Sequence, residues 1–595
     1  MRGTWGTQIW GALLAGLTLA AVSPGAAAAA EPTPLGHACK AENGVRFCPA
    51  EGLAQRTPTF DGVPLDADVT LPATGAGPFP TIVMLHGWGG NKTAFESSTP
   101  AGDGNETFDY NNVYYAQHGF AVVNYSERGW GESCGSPASR EAAGCSEGWL
   151  RLADQRYEAR DTQYLLGLLA DEKLAKPKGL GVTGISYGGG QSIELAYLKN
   201  RIRQPDGSFA PWLSPKGKKL EIKAAFPRWP WSDLVDALLP NGRFMENDVP
   251  AAGQSREPLG VEIQSYVTGL IAEGNASGYI APTGVDPEAD LTKWYALVNA
   301  GEPYALEAEA VANQIYSYHQ GYGIPPAGKP APMLLESGWT DALFPVSQSL
   351  RAYNATRAVK GYAALMFGDL GHSPGSNKVN TDHAFNEEGS QFFAAKLQHS
   401  GKAPRAGSVT AYTQTCPAAS APGGGPYTAS KWSKLAKHTQ SFGSAAAQTL
   451  LSAAGNPTIG ADFDPIANSD ACKTVKAETE PGTAEYTTTS SGFTLLGLPT
   501  VTATIKTLGV FGELTSRLWD VLPSGEQRLI SSGVYRLTEN QSGTISFQLH
   551  GNGYEFAAGD TVKLQLLGRD TPHYRASNGS FSVEVSNLTV SLPTS

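Results

Sequence analysis

The run Gly179-Leu-Gly-Val-Thr-Gly-Ile-Ser-Tyr-Gly-Gly-Gly190 leaves few folds open to this chain. Leu180 and Val182 read as a buried strand, and Ile193, Leu195 and Ala196 read as the apolar face of a helix that follows at once. Ser186 falls at the break between them. A serine on so sharp a strand-to-helix turn occupies a strained backbone position, so the residues two places either side must be tiny; here they are Gly184 and Gly188. The turn lifts the hydroxyl off the sheet edge, where an imidazole can reach it from one side and a carbonyl carbon from the other.

The flanking sequence has the rhythm such a turn needs. Pro80 to Leu85 and Phe120 to Val123 are continuous apolar runs ending in Gly-rich turns, with a helical stretch from Asn111 to His118 between them. Arg151 to Leu169 carries Tyr157, Leu165, Leu168 and Leu169 near helical spacing and leads into the Ser186 strand. Continuous apolar strands alternating with helices predict a parallel sheet covered on both faces, an α/β architecture. A strand at Lys223 to Phe226 is then followed by residues 227–330, where helical patterns run without strands: Leu234, Leu238 and Leu239, Tyr266 to Leu270, Trp294 to Val298, and Ala305 to Tyr318. The simplest placement is a helical cap inserted over the catalytic edge of the sheet. Strands return at Pro332 to Glu336 and Tyr362 to Phe367, and a helix from Phe385 to Leu397 closes the domain.

Residues 401–426, rich in Gly, Pro, Ala and Ser, read as a linker. Beyond it the chain turns to short alternating runs: Phe493 to Leu496, Thr500 to Lys506, Leu514 to Val521, Thr544 to Leu549, Thr561 to Leu567 and Ser580 to Leu592. Period-two patterning split by Gly-rich turns predicts a β-sandwich over residues 427–595.

A serine hydroxyl becomes a nucleophile only with a base in hydrogen-bond reach, and the base needs an acid to hold its tautomer. On this kind of sheet the order is serine, acid, histidine, each at a strand's C-terminal end. Met333-Leu-Leu-Glu-Ser-Gly-Trp-Thr-Asp341 places Asp341 in the loop after one strand, and Ala363-Ala-Leu-Met-Phe-Gly-Asp-Leu-Gly-His372 places His372 after the next. The two are 31 residues apart, room for one helix and one strand. The expected roles are Ser186 as nucleophile, His372 as general base and then acid, and Asp341 as orienter. Asp369 stands too near His372 to approach it from another strand and reads as a turn residue. His319, His383 and His399 lie in or beside helical patterns. His86 precedes Ser186 and belongs to His86-Gly87-Trp88-Gly89-Gly90, a loop of the kind that presents a backbone amide to a tetrahedral oxyanion. The oxyanion hole is therefore expected from the amides of Tyr187 and Trp88, each donor worth about a hundred- to a thousandfold in rate. Trp229 and Trp231 are candidate walls of a substrate pocket, and Asp233, Asp236, Glu246 and Asp248 either hold a substrate ammonium or form a wet helix face.

The first 30 residues have the plan of a signal peptide: Arg2, an apolar run from Ile9 to Val22, and an alanine tract ending at Ala30. All six cysteines follow it, an even number that suggests disulfides in an exported protein. Sequence neighbours suggest Cys39 with Cys48, Cys134 with Cys145 and Cys416 with Cys472, one of about fifteen connectivities. A net charge of -11, with no basic run longer than Lys216 to Lys219, argues against nucleic acid as a partner. Neither a C-x-x-C nor an H-E-x-x-H occurs, so a zinc site has little support, and no metal or organic cofactor is implied because the triad runs the reaction unaided.

The chain resembles the X-prolyl dipeptidyl-peptidase and cocaine-esterase (CocE/NonD) superfamily of serine hydrolases. The likeness rests on Gly184-Ile-Ser-Tyr-Gly-Gly, on Glu158 with Asp161, on Arg128-Gly129 with Gly131 and Ser133, on Gly338-Trp-Thr-Asp-Ala-Leu-Phe-Pro, and on Gly371-His372. In the C-terminal region it rests on Leu518-Trp-Asp-Val, Gly533-Val-Tyr-Arg-Leu and Phe556-Ala-Ala-Gly-Asp-Thr-Val-Lys-Leu. The resemblance implies an α/β-hydrolase with a helical cap and a jelly-roll domain of galactose-binding-like form, and it matches Ser186, Asp341 and His372 to the family triad. Two departures stand out. Where relatives place a tyrosine whose hydroxyl completes the oxyanion hole, this chain has Gly87 and Trp88; where they place an aspartate before Arg-Gly, it has Ser126.

The expected function is a secreted serine hydrolase that forms an acyl-enzyme on small peptides with a penultimate proline, cleaved after that proline to release an N-terminal dipeptide. The alternative is a carboxylesterase on small acyl esters. A different class of reading, a polysaccharide-binding sandwich beside an inactive hydrolase shell, requires the triad to be decayed.

Overall fold

A computed structural model describes residues 31–248, 257–419, 421–468 and 470–595. The expected signal peptide lies outside the described residues. The central sheet has eleven strands, in chain order β1 (Lys40–Glu42), β2 (Val45–Cys48), β3 (Ala67–Pro72), β4 (Phe79–Leu85), β5 (Ala121–Tyr125), β6 (Ala175–Ile185), β7 (Ile222–Arg228), β8 (Met333–Gly338), β9 (Ala363–Gly368), β10 (Val409–Thr413) and β11 (Gly424–Ala429). Their spatial order is β1-β2-β3-β5-β4-β6-β7-β8-β9-β10-β11. From β5 to β10 every pairing is parallel, and the two flanks are antiparallel. The parallel strands are buried on both faces, which is why Thr81 to Leu85, Ala121 to Tyr125 and Leu180 to Ile185 read as unbroken apolar or small runs. This is the predicted α/β hydrolase.

The helices α1 (Asn112–Gln117), α2 (Glu158–Asp171) and α3 (Tyr187–Leu198) alternate with the strands as predicted. One start differs. The helix expected from Arg151 begins at Glu158, because Leu152 and Ala153 adopt positive φ (54° and 59°) and the Glu158 carboxylate takes the amides of Arg151 (2.7 Å) and Asp154 (2.9 Å). These bonds hold the preceding segment as a turn rather than a helical extension.

The cap consists of α4 (Leu234–Leu238), α5 (Gln264–Ser277), α6 (Leu291–Asn299) and α7 (Leu306–Tyr318), between β7 and β8. Its apolar faces share a core with Trp130, Tyr187, Trp231 and Phe344 of the catalytic domain. Helices α8 (Val346–Ala358) and α9 (Val379–Phe393) follow β8 and β9.

The linker expected at 401–426 is instead structural. Val409–Thr413 and Gly424–Ala429 are β10 and β11, continuing the central sheet, and Gly and Pro fill only the turns around them. Their short alternation of Ala, Thr and Gly resembles a linker in composition, yet Val409 and Ala411 are buried in the main core.

The C-terminal domain is all β. Seven strands form one antiparallel sheet and five form another, and Val501, Ile505, Phe547, Val583, Leu514, Leu518, Val562 and Leu564 meet between them. Each alternating run singled out in the sequence is a strand here, from Phe493–Gly497 to Phe581–Thr594. Glu526–Arg536, a long strand of the smaller sheet, lacks clean alternation and escaped notice.

Candidate active site

Ser186 sits at the end of β6 with φ 59° and ψ -111°, and α3 starts at the next residue. The surrounding glycines are there because nothing larger fits. A Cβ on Gly184 would lie 2.6 Å from the Leu85 carbonyl oxygen, one on Gly188 2.2 Å from the same atom, and one on Gly189 2.3 Å from the Arg228 carbonyl oxygen. The strained backbone is held by two outside bonds: the Ser186 amide donates to the Arg228 carbonyl (3.0 Å) and the Gly188 amide to that of His86 (3.1 Å).

The structure brings the three distant side chains together. His372 Nε2 lies 2.7 Å from Ser186 Oγ, and His372 Nδ1 lies 2.7 Å from Asp341 Oδ2. Asp341 is buried and accepts three backbone amides as well: Leu343 (2.9 Å) and Phe344 (2.8 Å) at Oδ1, His372 (3.1 Å) at Oδ2. A carboxylate so fully hydrogen-bonded is fixed in orientation, and as an acceptor it sets the proton on Nδ1, leaving Nε2 free to accept. The His372 ring is flanked edge-on by Phe344 (5.0 Å between centroids) and Trp229 (5.8 Å).

The other histidines and Asp369 lie elsewhere. Asp369 accepts Thr340 Oγ1 (2.8 Å) and the Ser376 amide, as a turn residue does. His383 stacks on Phe108, and His319 is buried against the Leu152 carbonyl. His86 is buried with Nδ1 on the Gly87 carbonyl (2.8 Å) and Nε2 accepting the Glu127 amide (3.0 Å), a pattern that requires the neutral ring. Burial pushes its pKa down to about 4. It is the brace of the loop after β4.

That loop presses on Ser186: a Cβ at Gly87 would lie 3.7 Å from its Cβ. Among the described residues no acceptor takes the amide of Trp88 or of Tyr187. The Trp88 ring packs edge-on against Trp130 (4.9 Å) and Tyr187 (5.3 Å), and its Nε1 donates to the Leu270 carbonyl of α5 (2.9 Å). Behind Tyr187 lie three buried carboxyls, Glu127, Glu158 and Glu194, all pushed upward chiefly by burial, Glu158 to about 8.

The two pocket tryptophans part company. Trp229 touches the His372 ring, whereas Trp231 is packed under α3, where a Cβ on Gly190 would lie 2.0 Å from its ring. Trp231 is core, because a helix this close to a loop leaves it no outlet. The apolar cavity near the site is a different one, of about 110 Å³, walled by Trp88, Leu234, Leu270, Ile271, Trp294 and Ile315 among others. The four acids of the cap region are already engaged. Asp233 caps α4 through the Asp236 amide (3.1 Å), Asp236 pairs with Arg351 (2.6 Å), Glu246 takes Trp432 Nε1 (3.2 Å) and Asp248 takes the Met245 amide (2.8 Å).

Sequence reading missed Glu336. It is wholly buried on β8, accepting Arg228 Nε (2.9 Å) and Trp229 Nε1 (3.0 Å). The available signal was a single acid inside the apolar run Met333-Leu-Leu-Glu. Asn377 was missed too; it accepts the Gly371 amide and donates to Glu106 (both 2.9 Å), tying the His372 loop to the rim opposite.

Two family profiles match the chain: X-Pro dipeptidyl-peptidase (S15 family) over residues 61–202, and the X-Pro dipeptidyl-peptidase C-terminal non-catalytic domain over residues 395–590. The chain belongs to the X-Pro dipeptidyl-peptidase/CocE superfamily of serine hydrolases. Solved structures of similar fold span more than nine-tenths of it. An α-amino acid ester hydrolase shares 16% identity over 92% of this chain and 97% of its own (TM-score 0.56). A CocE/NonD family hydrolase from Staphylococcus aureus shares 12% over 93% and 94% (TM-score 0.55). An aminopeptidase from a marine sediment archaeon, Thaumarchaeota archaeon, shares 14% over 92% and 96% (TM-score 0.54). No curated protein sequence matches. As a member of this superfamily the chain is an enzyme, a serine hydrolase, and the reading as a polysaccharide-binding shell is withdrawn.

Proposed function

We propose that this X-Pro dipeptidyl-peptidase-like hydrolase is a secreted enzyme that works through an acyl-enzyme at Ser186 and cleaves after a penultimate proline. The observation that carries the reading is the continuous chain Ser186 Oγ, His372 Nε2, His372 Nδ1, Asp341 Oδ2, with both links at 2.7 Å. As Oγ attacks the substrate carbonyl, its proton passes to Nε2, and the new oxyanion faces the unused amides of Tyr187 and Trp88. The imidazolium then protonates the leaving amine. Water then gives a proton to Nε2 as its oxygen attacks the acyl carbonyl, the bond to Oγ breaks, and the imidazolium returns the proton to Ser186 Oγ as the dipeptide leaves. Asp341 stays ionised throughout, holding the ring and balancing its charge. The three disulfides, Cys39–Cys48, Cys134–Cys145 and Cys416–Cys472, support an oxidising destination, and no helix of the described residues is long and apolar enough to cross a membrane.

One observation favours the second reading, a carboxylesterase on small acyl esters. The cavity beside Trp88 is lined by apolar side chains, and the cap acids that would hold a substrate ammonium are committed to caps and pairs. Gly-Pro and Ala-Pro anilides assayed against short-chain nitrophenyl esters decide between them. Anilide turnover lost in Ser186→Ala is expected; ester turnover with silent anilides selects the second reading. A fluorophosphonate that labels neither wild type nor Ser186→Ala would end both.

A further inference from the structure

Residues 228 and 229, at the end of β7, meet the site from beneath. The Arg228 carbonyl accepts the Ser186 amide (3.0 Å), one of the two bonds that hold the nucleophile at its strained φ and ψ. Trp229 puts its ring edge-on to the His372 ring (5.8 Å) from a backbone at φ 47°, a position that an aromatic residue rarely keeps without being held. Both side chains are held by one carboxylate. Glu336 Oε2 takes Arg228 Nε (2.9 Å), Glu336 Oε1 takes Trp229 Nε1 (3.0 Å), and the Glu336 carbonyl takes the Trp229 amide (2.9 Å). Glu336 and Arg228 are both 0% exposed, and Arg228 Nη1 continues to the Glu106 carbonyl (3.0 Å), whose side chain holds Asn377.

A buried ion pair is a poor source of net stability, since desolvation offsets most of its attraction. This one is placed where orientation counts more than stability. We propose that Glu336 is a positioning residue: through Arg228 it fixes the backbone under Ser186, and through Trp229 it limits the tilt of His372. It touches neither substrate nor reacting atoms. The inference rests on Ser186 and His372 being nucleophile and base. A misplacement of either by about 1 Å costs about a hundredfold in rate.

The test uses the full chain and a fluorophosphonate, so that no substrate need be known. Saturation labelling separates the maximal rate of Ser186 modification from the half-saturating concentration. Glu336→Gln is expected to lower the maximal rate about ten- to a hundredfold with the half-saturating concentration within about twofold. Trp229→Phe, which keeps a ring but lacks the N–H, is expected to lower the maximal rate in the same manner. On the Glu336→Gln background Trp229→Phe should cost at most about threefold, because the link from the carboxylate to the indole is already cut. Equal costs in both backgrounds, or a fall in melting temperature with the labelling rate kept, would overturn the proposal. Should Glu336→Gln fail to fold, Trp229→Phe against Trp229→Leu decides: if the phenylalanine variant labels like wild type while the leucine variant does not, the ring alone matters and Glu336 has no such part. Absence of labelling in the wild type itself would instead remove the triad reading, and the inference with it.

Discussion

Asp341 shows how much one side chain can settle. Four N–H groups converge on its two oxygens, one of them the ring Nδ1 of His372 and three from the backbone. Asparagine has the same shape, but its amide must offer N–H to a ring nitrogen, which flips His372 to the tautomer whose Nε2 carries the proton. Asp341→Asn is therefore expected to lower kcat about a thousand- to ten-thousandfold while leaving the melting temperature close to wild type. A loss below about tenfold would show that the acid is not the orienter. The proposed triad was legible as an arrangement because the chemistry demands particular residue types at strand ends, and Ser186, Asp341 and His372 stand there in order and within hydrogen-bond reach. Trp231 was misread for an equally physical reason. Composition tells that an aromatic is near a site but not which way it faces, and here α3 comes close enough to bury it. Glu336 was legible only as an oddity, since a sequence does not reveal what a buried charge pairs with.

Among the elements, α3 bears the tightest fit. Its first turn is glycine-rich so that one face can lie on the Leu85 carbonyl and another on the Arg228 carbonyl and the Trp231 ring. Gly190→Ala places a methyl 2.0 Å from the Trp231 ring carbons, inside any van der Waals contact. Because Trp231 belongs to the core shared by cap and catalytic domain, the displacement should be felt there first. The expected outcome is faster proteolysis within the cap, with the ester or anilide KM raised; an unchanged digestion pattern and KM would show that the ring can move aside freely. Strands with one strong pattern were readable, and so were the helices of the parallel block. The helix boundary at Glu158 and the strands β10 and β11 were not. In the first case side-chain carboxylate bonds to the preceding turn override helical propensity; in the second, the last two strands of the sheet, rich in Ala, Thr and Gly, have the composition of a linker.

On the scale of the whole molecule, the C-terminal domain is fastened to both other parts. Arg536 bonds the Gly260 carbonyl (2.9 Å) and pairs with Glu302 (3.1 Å) beside the cap, Arg575 reaches the Asn299 carbonyl (2.6 Å), and the Gln414 amide meets the Gly553 carbonyl (2.7 Å) at the central sheet. The seam runs behind the acid of the triad: a cavity of about 80 Å³ is lined by Trp339 to Ala342 and Pro374 on one side and by Arg517, His550, Asp570 and His573 on the other. Among the described residues neither ring nitrogen of His573 has a hydrogen-bond partner, and burial pushes its pKa down. His550 is pushed down from 6.5 to about 4, by burial first and by His573 next. With folded values below 6.5, the unfolded chain takes up protons before the folded one. The stability these neutral rings contribute is whole above about pH 6.5 and is lost as pH falls toward 4. Glu158 and Asp382, raised to about 8, act in the opposite sense, their contribution being lost as pH rises from 4.5 or below through 8. The net curve of the wild type thus mixes both signs, and a difference between variants isolates one. Urea unfolding of wild type and His550→Gln, followed by tryptophan fluorescence from pH 7.5 to 4.5, should give a gap that narrows as pH falls, because only the wild type has to keep that ring uncharged. A gap constant over the range would mean that His550 titrates alike in both states and that the seam is open to water.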